Sequence, residues 1–171
     1  MILLPDGDGV SSGWTAVGES TSHEALATDD GGTSYVKSNT NLASMIIEYA
    51  NPSVAEANIE SIQSVQFLSS GKAIHRTNPS IVNIRFEAPT TGFVELCSYD
   101  AHRTNYETIN GTARETHDGV HAWSYANLQD LEMKCTKSLT IEVYLSYLAL
   151  RVTYTEAEAA ADNATFFGAN F

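Results

Sequence analysis

Three short stretches carry residue types that do chemistry when their geometry allows it. The first is DGDGVSSGW, residues 6–14. Within it, Gly9-Val10-Ser11-Ser12-Gly13 fits the G-x-S-x-G pattern of a hydrolase nucleophile. That pattern works only with a strand directly before it and a helix directly after, so that the serine is held on a strained turn. Pro5 and two Asp-Gly pairs precede Ser11, and Trp14 to Val17 after it has strand character before a glycine stop at Gly18. Catalysis by Ser11 is therefore not expected. The same stretch opens like a calcium loop at Asp6, but an EF-hand needs a ligand at its fifth place, Gly at the sixth and Glu at the twelfth. The sequence offers Val10, Ser11 and Val17 there. A different calcium site among Asp6, Asp8, Asp29 and Asp30 stays open beside the plainer reading of solvated turn carboxylates. The simplest account of residues 6–14 is a turn that introduces Trp14 into a core.

The second stretch is His117-Asp118-Gly119-Val120-His121. Two histidines stand at i and i+4, but Gly119 and the flanking strand signals argue against a helix. A zinc site would need a third ligand, and neither cysteine supplies recognisable spacing, so a surface loop is expected. His23, His75 and His102 are scattered singly, and Glu115 with Asp118 reads as a solvated edge. There is no Gly-rich phosphate loop and no basic patch. No catalytic residue, no cofactor and no metal ligand is assigned, and the chain is not expected to be an enzyme. The third feature is a set of aromatics, Trp14, Tyr35, Tyr99, Tyr106, Trp123, Tyr125 and Tyr144. Such residues line sugar-binding faces, although most lie in strand or helix patterns that core packing also explains.

The elements that must position these residues are mostly strands. Period-two alternation marks IVNIRFEA (81–88) and GFVELCSY (92–99), with a hairpin at Pro89-Thr90-Thr91-Gly92 between them. TSYVKS (33–38), ASMIIEY (43–49) and SIQSVQFL (61–68) are further strands. LTIEVYLSYLALRVTY (139–154) is long for one strand and switches phase near 146–148, which a bulge would reconcile with a single core. The one good helix signal is SYANLQDLEMK, with Ser124 as N-cap and Trp123, Leu128 and Leu131 on one face. Seven or eight strands and one short helix predict an all-β, two-layer antiparallel jelly-roll β-sandwich.

Size and charge bound the function. A chain of 171 residues is expected to form one domain and to bury about 70% of its unfolded surface, without help from disulfides or metal. Apolar residues make up 43% and charged residues 18%, as in a globular protein. Twenty-one acidic residues against nine Lys plus Arg give a formal charge of −12, which disfavours nucleic acid and anionic membrane as partners. The start, MILLPDGDG, lacks the basic and apolar regions of a signal peptide, and no stretch reaches the length of a membrane span. Cys97 and Cys135 are expected as reduced, mostly buried thiols in a soluble chain made in a cytoplasm. Residues 1–155 read as the domain and 156–171 as a C-terminal arm. Phe166, Phe167 and Phe171 would each bury about 150–250 Å², so the arm is expected to dock on its own domain or a neighbouring subunit.

Three pieces in order resemble a known family: DGDGVSSGWT, then DDGGTSYVKS, then HAWSYANLQDLE with LTIEVYLSYLALRVTYT. They resemble small jelly-roll β-sandwich proteins among the structural proteins of tailed bacteriophages. Pro5, Gly7, Asp8 and Trp14 match an opening P-x-G-D…W pattern, and Asp29, Asp30, Thr33, Ser34, Tyr35 and Val36 a D-D-x-T-S-Y-V strand. Trp123, Ser124, Ala126, Leu128 and Leu131 match a capped helix, and Tyr144, Leu150, Val152 and Tyr154 a closing strand. Asn127 stands where the helix pattern usually has Asp, and the Phe-ended tail departs from the family. The resemblance implies a virion structural protein without catalytic residues. The expected role is a capsid decoration or cement protein on the outer head surface, which bridges the major capsid protein and forms a homo-oligomer, a trimer favoured by analogy. Ile2, Leu3, Leu4, Phe166, Phe167 and Phe171 are the candidate contacts. The alternative is a carbohydrate-binding or host-adhesion module of a head or tail fibre, with a glycan as partner.

Overall fold

A computed structural model describes residues 1–74, 82–88, 94–101, 105–138 and 141–158. They form an antiparallel jelly-roll β-sandwich of two sheets. The first sheet runs β3 (Thr15–Val17), β4 (Tyr35–Ser38), β11 (Glu142–Glu156), β6 (Ile59–Ile74) and β9 (Glu107–Asn110), with β1 (Ile2–Leu3) pairing the far end of β11. The second runs β2 (Pro5–Ser12), β5 (Ser44–Tyr49), β10 (Glu132–Lys137), β7 (Val82–Ala88) and β8 (Val94–Ala101). Eleven strands are described rather than seven or eight, because short edge pieces such as β1 and β3 carry no alternation of their own. The expected hairpin at 89–92 and the tail phenylalanines lie outside the described residues. No helix among the described residues is long and apolar enough to cross a membrane.

The core forms where the inward rows of the two sheets meet: Val36, Phe67, Leu145 and Leu150 from one side, Ile47 and Met133 from the other. Its spine is the pairing of β11 with β6, and the predicted phase switch is visible there. The register shifts between Leu145 and Tyr147, leaving Ser146 as the extra residue. Before it, Val143 and Leu145 point inward; after it, Leu148, Leu150 and Val152 do. One bulged residue thus moves inward positions from odd to even numbers and keeps both halves on the same core.

Two local expectations are corrected. Residues 5–12 are an edge strand, not a turn. Gly7 and Gly9 let β2 lie close on Glu48 and Ile46, and a Cβ on Gly9 would come within 2.7 Å of Ile46 Cγ2. The turn sits at Gly13, with φ of +77°, and it does deliver Trp14 into the core. The predicted helix is also shorter. Ser124 caps α2 (Tyr125–Leu128), its hydroxyl accepting from Asn127 N–H while Asn127 Oδ1 accepts from Ser124 N–H. From Glu132 the chain is strand instead, because β10 is central and hydrogen-bonds β5 on one side and β7 on the other. Asp130 makes the break, with φ of +51° and its N–H donating to Asn51 Oδ1 at 2.8 Å.

A second helix, α1 (Ser22–Leu26), is capped by Thr21 through Glu24 N–H, and it buries Ala25 and Leu26. Thr21-Ser22-His23-Glu24 is a capping-box spelling, but its one-turn helix lacks the periodicity that would announce it. The register also separates the cysteines. Cys135 lies opposite Phe86, which lies opposite Cys97. Two strand spacings, about 9.5 Å, exceed the ~7 Å that a disulfide spans between Cα atoms. Cys135 is buried and free, and burial pushes its thiol up.

The bulge makes two opposite predictions. Deleting Ser146 turns Leu148, Leu150 and Val152 outward, at about 1.5–3 kcal/mol each, against a typical total stability of about 5–15 kcal/mol. The deletion is expected to abolish cooperative melting. Ser146→Ala keeps the count and removes a buried hydroxyl that has no hydrogen-bond partner. It is expected to raise stability by about 1 kcal/mol and the melting temperature by about 2–4 °C. Differential scanning calorimetry of both variants decides, and a cooperative melt in the deletion contradicts the register argument.

Candidate functional site

The residues suspected from sequence are mostly committed to local structure. Ser11 is exposed on β2, opposite Met45, in no elbow. Asp8 accepts from Ser22 N–H at 2.9 Å and His23 N–H at 2.7 Å, so its carboxylate serves the N-terminus of α1. Asp30 accepts from the N–H groups of Gly32, Thr33 and Ser34 and from the Ser34 hydroxyl. The Ser34 hydroxyl, followed by those backbone donors, holds its carboxyl below the usual range. Among the described residues the four aspartates Asp6, Asp8, Asp29 and Asp30 do not come together at metal-ligand distances. Leu3 is spent on the protein's own core, while Ile2 and Leu4 are exposed. Phe166, Phe167 and Phe171 lie outside the described residues.

The aromatics behave differently. Trp14 and Trp123 are core residues, and Tyr125 donates its hydroxyl to Val54 O. Tyr35, Tyr106 and Tyr144 converge on the outer face of the first sheet. On β4, Tyr35 and Lys37 face out while Val36 and Ser38 face in. On β11, Tyr144 lies directly between Lys37 of β4 and Lys72 of β6. The Tyr35 and Tyr144 rings stand 5.3 Å apart at 58°. Tyr106 immediately precedes β9, whose Glu107 pairs with Gly71, and this brings its ring beside Lys72. Lys72 Nζ sits 4.2 Å from the Tyr106 ring centroid and 5.1 Å from that of Tyr144. Gly32, with φ of +87°, closes the far side, since a Cβ there would collide with the Tyr106 ring.

Two tyrosines on this face are partly dehydrated. Burial, then the neighbouring Tyr35, Tyr144 and Asp30, pushes the Tyr106 phenol up to about 12. Its hydroxyl is buried with no hydrogen-bond partner. Tyr144 is raised by burial and then by Glu142. Lys37 reaches Glu142 at 4.0 Å across exposed side chains, a pair of little energetic weight. The two ring faces over Lys72 are the stronger restraint on a cation here. The face therefore offers inclined aromatic surfaces and an ammonium held over them. A second hollow, about 370 Å³ on the other sheet, is lined by Asp6, Glu48, Tyr49, Asn51, Asp130 and Glu132. There Glu48 and Glu132 stand directly opposite, a repulsive pair with no cation among the lining residues.

Lys72 and Gly32 were missed from sequence. Lys72 matters only through the β6–β11 register, and Gly32 only through its contact with a residue more than seventy positions away. Neither leaves a local signal.

The geometry defines a jelly-roll β-sandwich with an aromatic and cationic outer face. No protein-family model matches the chain, and no curated protein matches it. Solved structures similar to it include the carbohydrate-binding module TmCBM61 in complex with beta-1,4-galactotriose, at a TM-score of 0.38 and 10% identity over 82% of this chain and 83% of that one. Another is the module described as CBM4, at 0.35 and 12% over 85% and 95%. Likeness at this level carries no argument, and the sandwich rests on its own strand pairing.

The raised Tyr106 phenol has a signed consequence. A folded state that holds this proton more tightly than the unfolded chain keeps the associated stability below the ordinary tyrosine value near 10. It loses that stability as the pH rises through about 12. Tyr106→Phe is expected to make the alkaline fall in stability shallower and to remove one group ionising at about 12 from the tyrosinate absorbance titration. An unchanged titration contradicts the buried, unpartnered placement.

Proposed function

We propose that the chain is a non-catalytic binding module whose outer tyrosine face takes a glycan. The observation that carries this reading is the convergence of Tyr35, Tyr106 and Tyr144 around Lys72 on one sheet surface. Sugar rings present apolar C–H faces edged by hydroxyls. They suit a site of aromatic surface with a few placed polar groups. Lys72 Nζ donates to sugar oxygens while the rings pack against the C–H faces.

On a glycan array the purified chain is expected to give saturable signal. Tyr144→Ala and Lys72→Ala should each weaken that binding by about tenfold, or about 1.4 kcal/mol, without loss of the thermal transition. Absence of any array signal, or wild-type binding by both variants, overturns the reading.

A second reading, a capsid decoration protein, draws on Ile2 and Leu4, which remain exposed at 46% and 38% at the edge where β1 meets β11. A shallow hollow of about 370 Å³ beside them is lined by Met1, Ile2, Arg151, Val152, Thr153 and Tyr154. In this reading the edge packs on the major capsid protein. Co-sedimentation with empty phage heads that Ile2→Asp abolishes is the expected result, and no co-sedimentation removes it.

A further inference from the structure

The loop at residues 116–122 brings together what its sequence alone kept apart. His117 N–H donates to His121 O at 2.9 Å, and Thr116 bridges Ala122, so the segment folds back as a small closed loop rather than a helical turn. Gly119 allows the reversal with φ of +86°. Asp118 pins the turn by accepting from Val120 N–H at 2.9 Å and His121 N–H at 2.7 Å. Its other oxygen lies 2.6 Å from His121 Nδ1. The two imidazoles stack at 5.9 Å and 23°, and His117 meets the edge of the Trp123 ring. Trp123 is itself fixed, donating from Nε1 to Arg114 O, while Arg114 exchanges both backbone hydrogen bonds with Val65 of β6. The loop thus stands on the spine of the sandwich, with its histidines outside.

We propose that this loop binds a divalent transition ion of the zinc class through one ring nitrogen each of His117 and His121 and a carboxylate oxygen of Asp118. One ligand atom from each residue lies within 4.8 Å of the others. Tetrahedral ligands at zinc stand about 3.4 Å apart, so an ion would open the 2.6 Å contact between Asp118 and His121 and draw the His117 nitrogen toward them. The donor set, two imidazoles and one carboxylate, suits zinc, and calcium prefers an all-oxygen shell of six or more ligands. The third ligand that sequence spacing failed to supply is Asp118, which lies between the two histidines. With three protein ligands the ion keeps a position open to water or to a side chain from another molecule. This site is separate from the tyrosine face and does not rest on the glycan reading.

The test is isothermal titration of zinc chloride into the full chain after dialysis against chelator. One saturable site per chain is expected, together with a rise in melting temperature in the presence of zinc by mass action. His117→Gln and His121→Gln should each weaken binding by about tenfold or more, and the double variant should remove it, with His23, His75 and His102 left in place as internal controls. His121 is 73% exposed, so His121→Gln carries the test if loss of the His117–Trp123 contact disturbs folding. No saturable binding by the wild type, or undiminished binding by the double variant, overturns the proposal.

Discussion

The antiparallel ladder between β6 and β11 runs from the Glu142–Ile74 pair at one end to the Glu156–Ile59 pair at the other, and both faces of the protein depend on it. On the inner side it supplies Val65, Phe67, Leu145, Leu148, Leu150 and Val152 to the core. On the outer side it sets Tyr144 against Lys72. A ladder of this length cannot keep a fixed inward face on a twisted sheet without an adjustment. The bulge at Ser146, the first of three register shifts along β11, makes that adjustment for the core, and the sequence around it alternates in two phases to match.

The outer face is a consequence of the same geometry. β4 and β9 attach to the flanks of the β11–β6 pair. Tyr35 thereby arrives from one side and Tyr106 from the other, around a lysine more than thirty positions from either in sequence. For a chain of charge −12, Lys37 and Lys72 flanking one tyrosine form a local cationic exception. The rings over Lys72 position its ammonium, and no ion pair to it occurs among the described residues. Contrast the other sheet, whose outer hollow gathers carboxylates and repels itself. The tyrosine–lysine cluster on the first sheet and the carboxylate hollow on the second thus differ in chemistry, and the proposed glycan site rests on the first.

The strands at 35–38, 44–49, 82–88 and 94–101 and the 61–68 part of β6 were legible because alternation is a local property, and so was the phase switch near Ser146. The cap at Ser124 was legible for the same reason. The length of its helix was not: central pairing of β10 with two neighbours outweighs the helical spacing of residues 129–134. Residues 6–9 spell a turn in isolation and become an edge strand because the glycines fit closely on Glu48 and Ile46. Three of the seven suspected aromatics, Tyr35, Tyr106 and Tyr144, form the face. Nothing short of the register separates them from Trp14 and Trp123, which serve the core. Asp118 shows the same limit: its position between two histidines was plain, and its contact with His121 depends on a loop closure that spacing does not encode.

The central claim is that the outer face of the β11–β6 ladder, and not an edge or the acidic hollow, is where a sugar docks. Heteronuclear NMR of the isotope-labelled chain, titrated with the oligosaccharide that binds best on the array, tests it most directly. The account predicts amide shifts concentrated at residues 32–37, 72, 106 and 142–145, with little change across β2, β5 and β10. Shifts centred on the second sheet or on the β1 edge, or no shifts at saturating sugar, would contradict it.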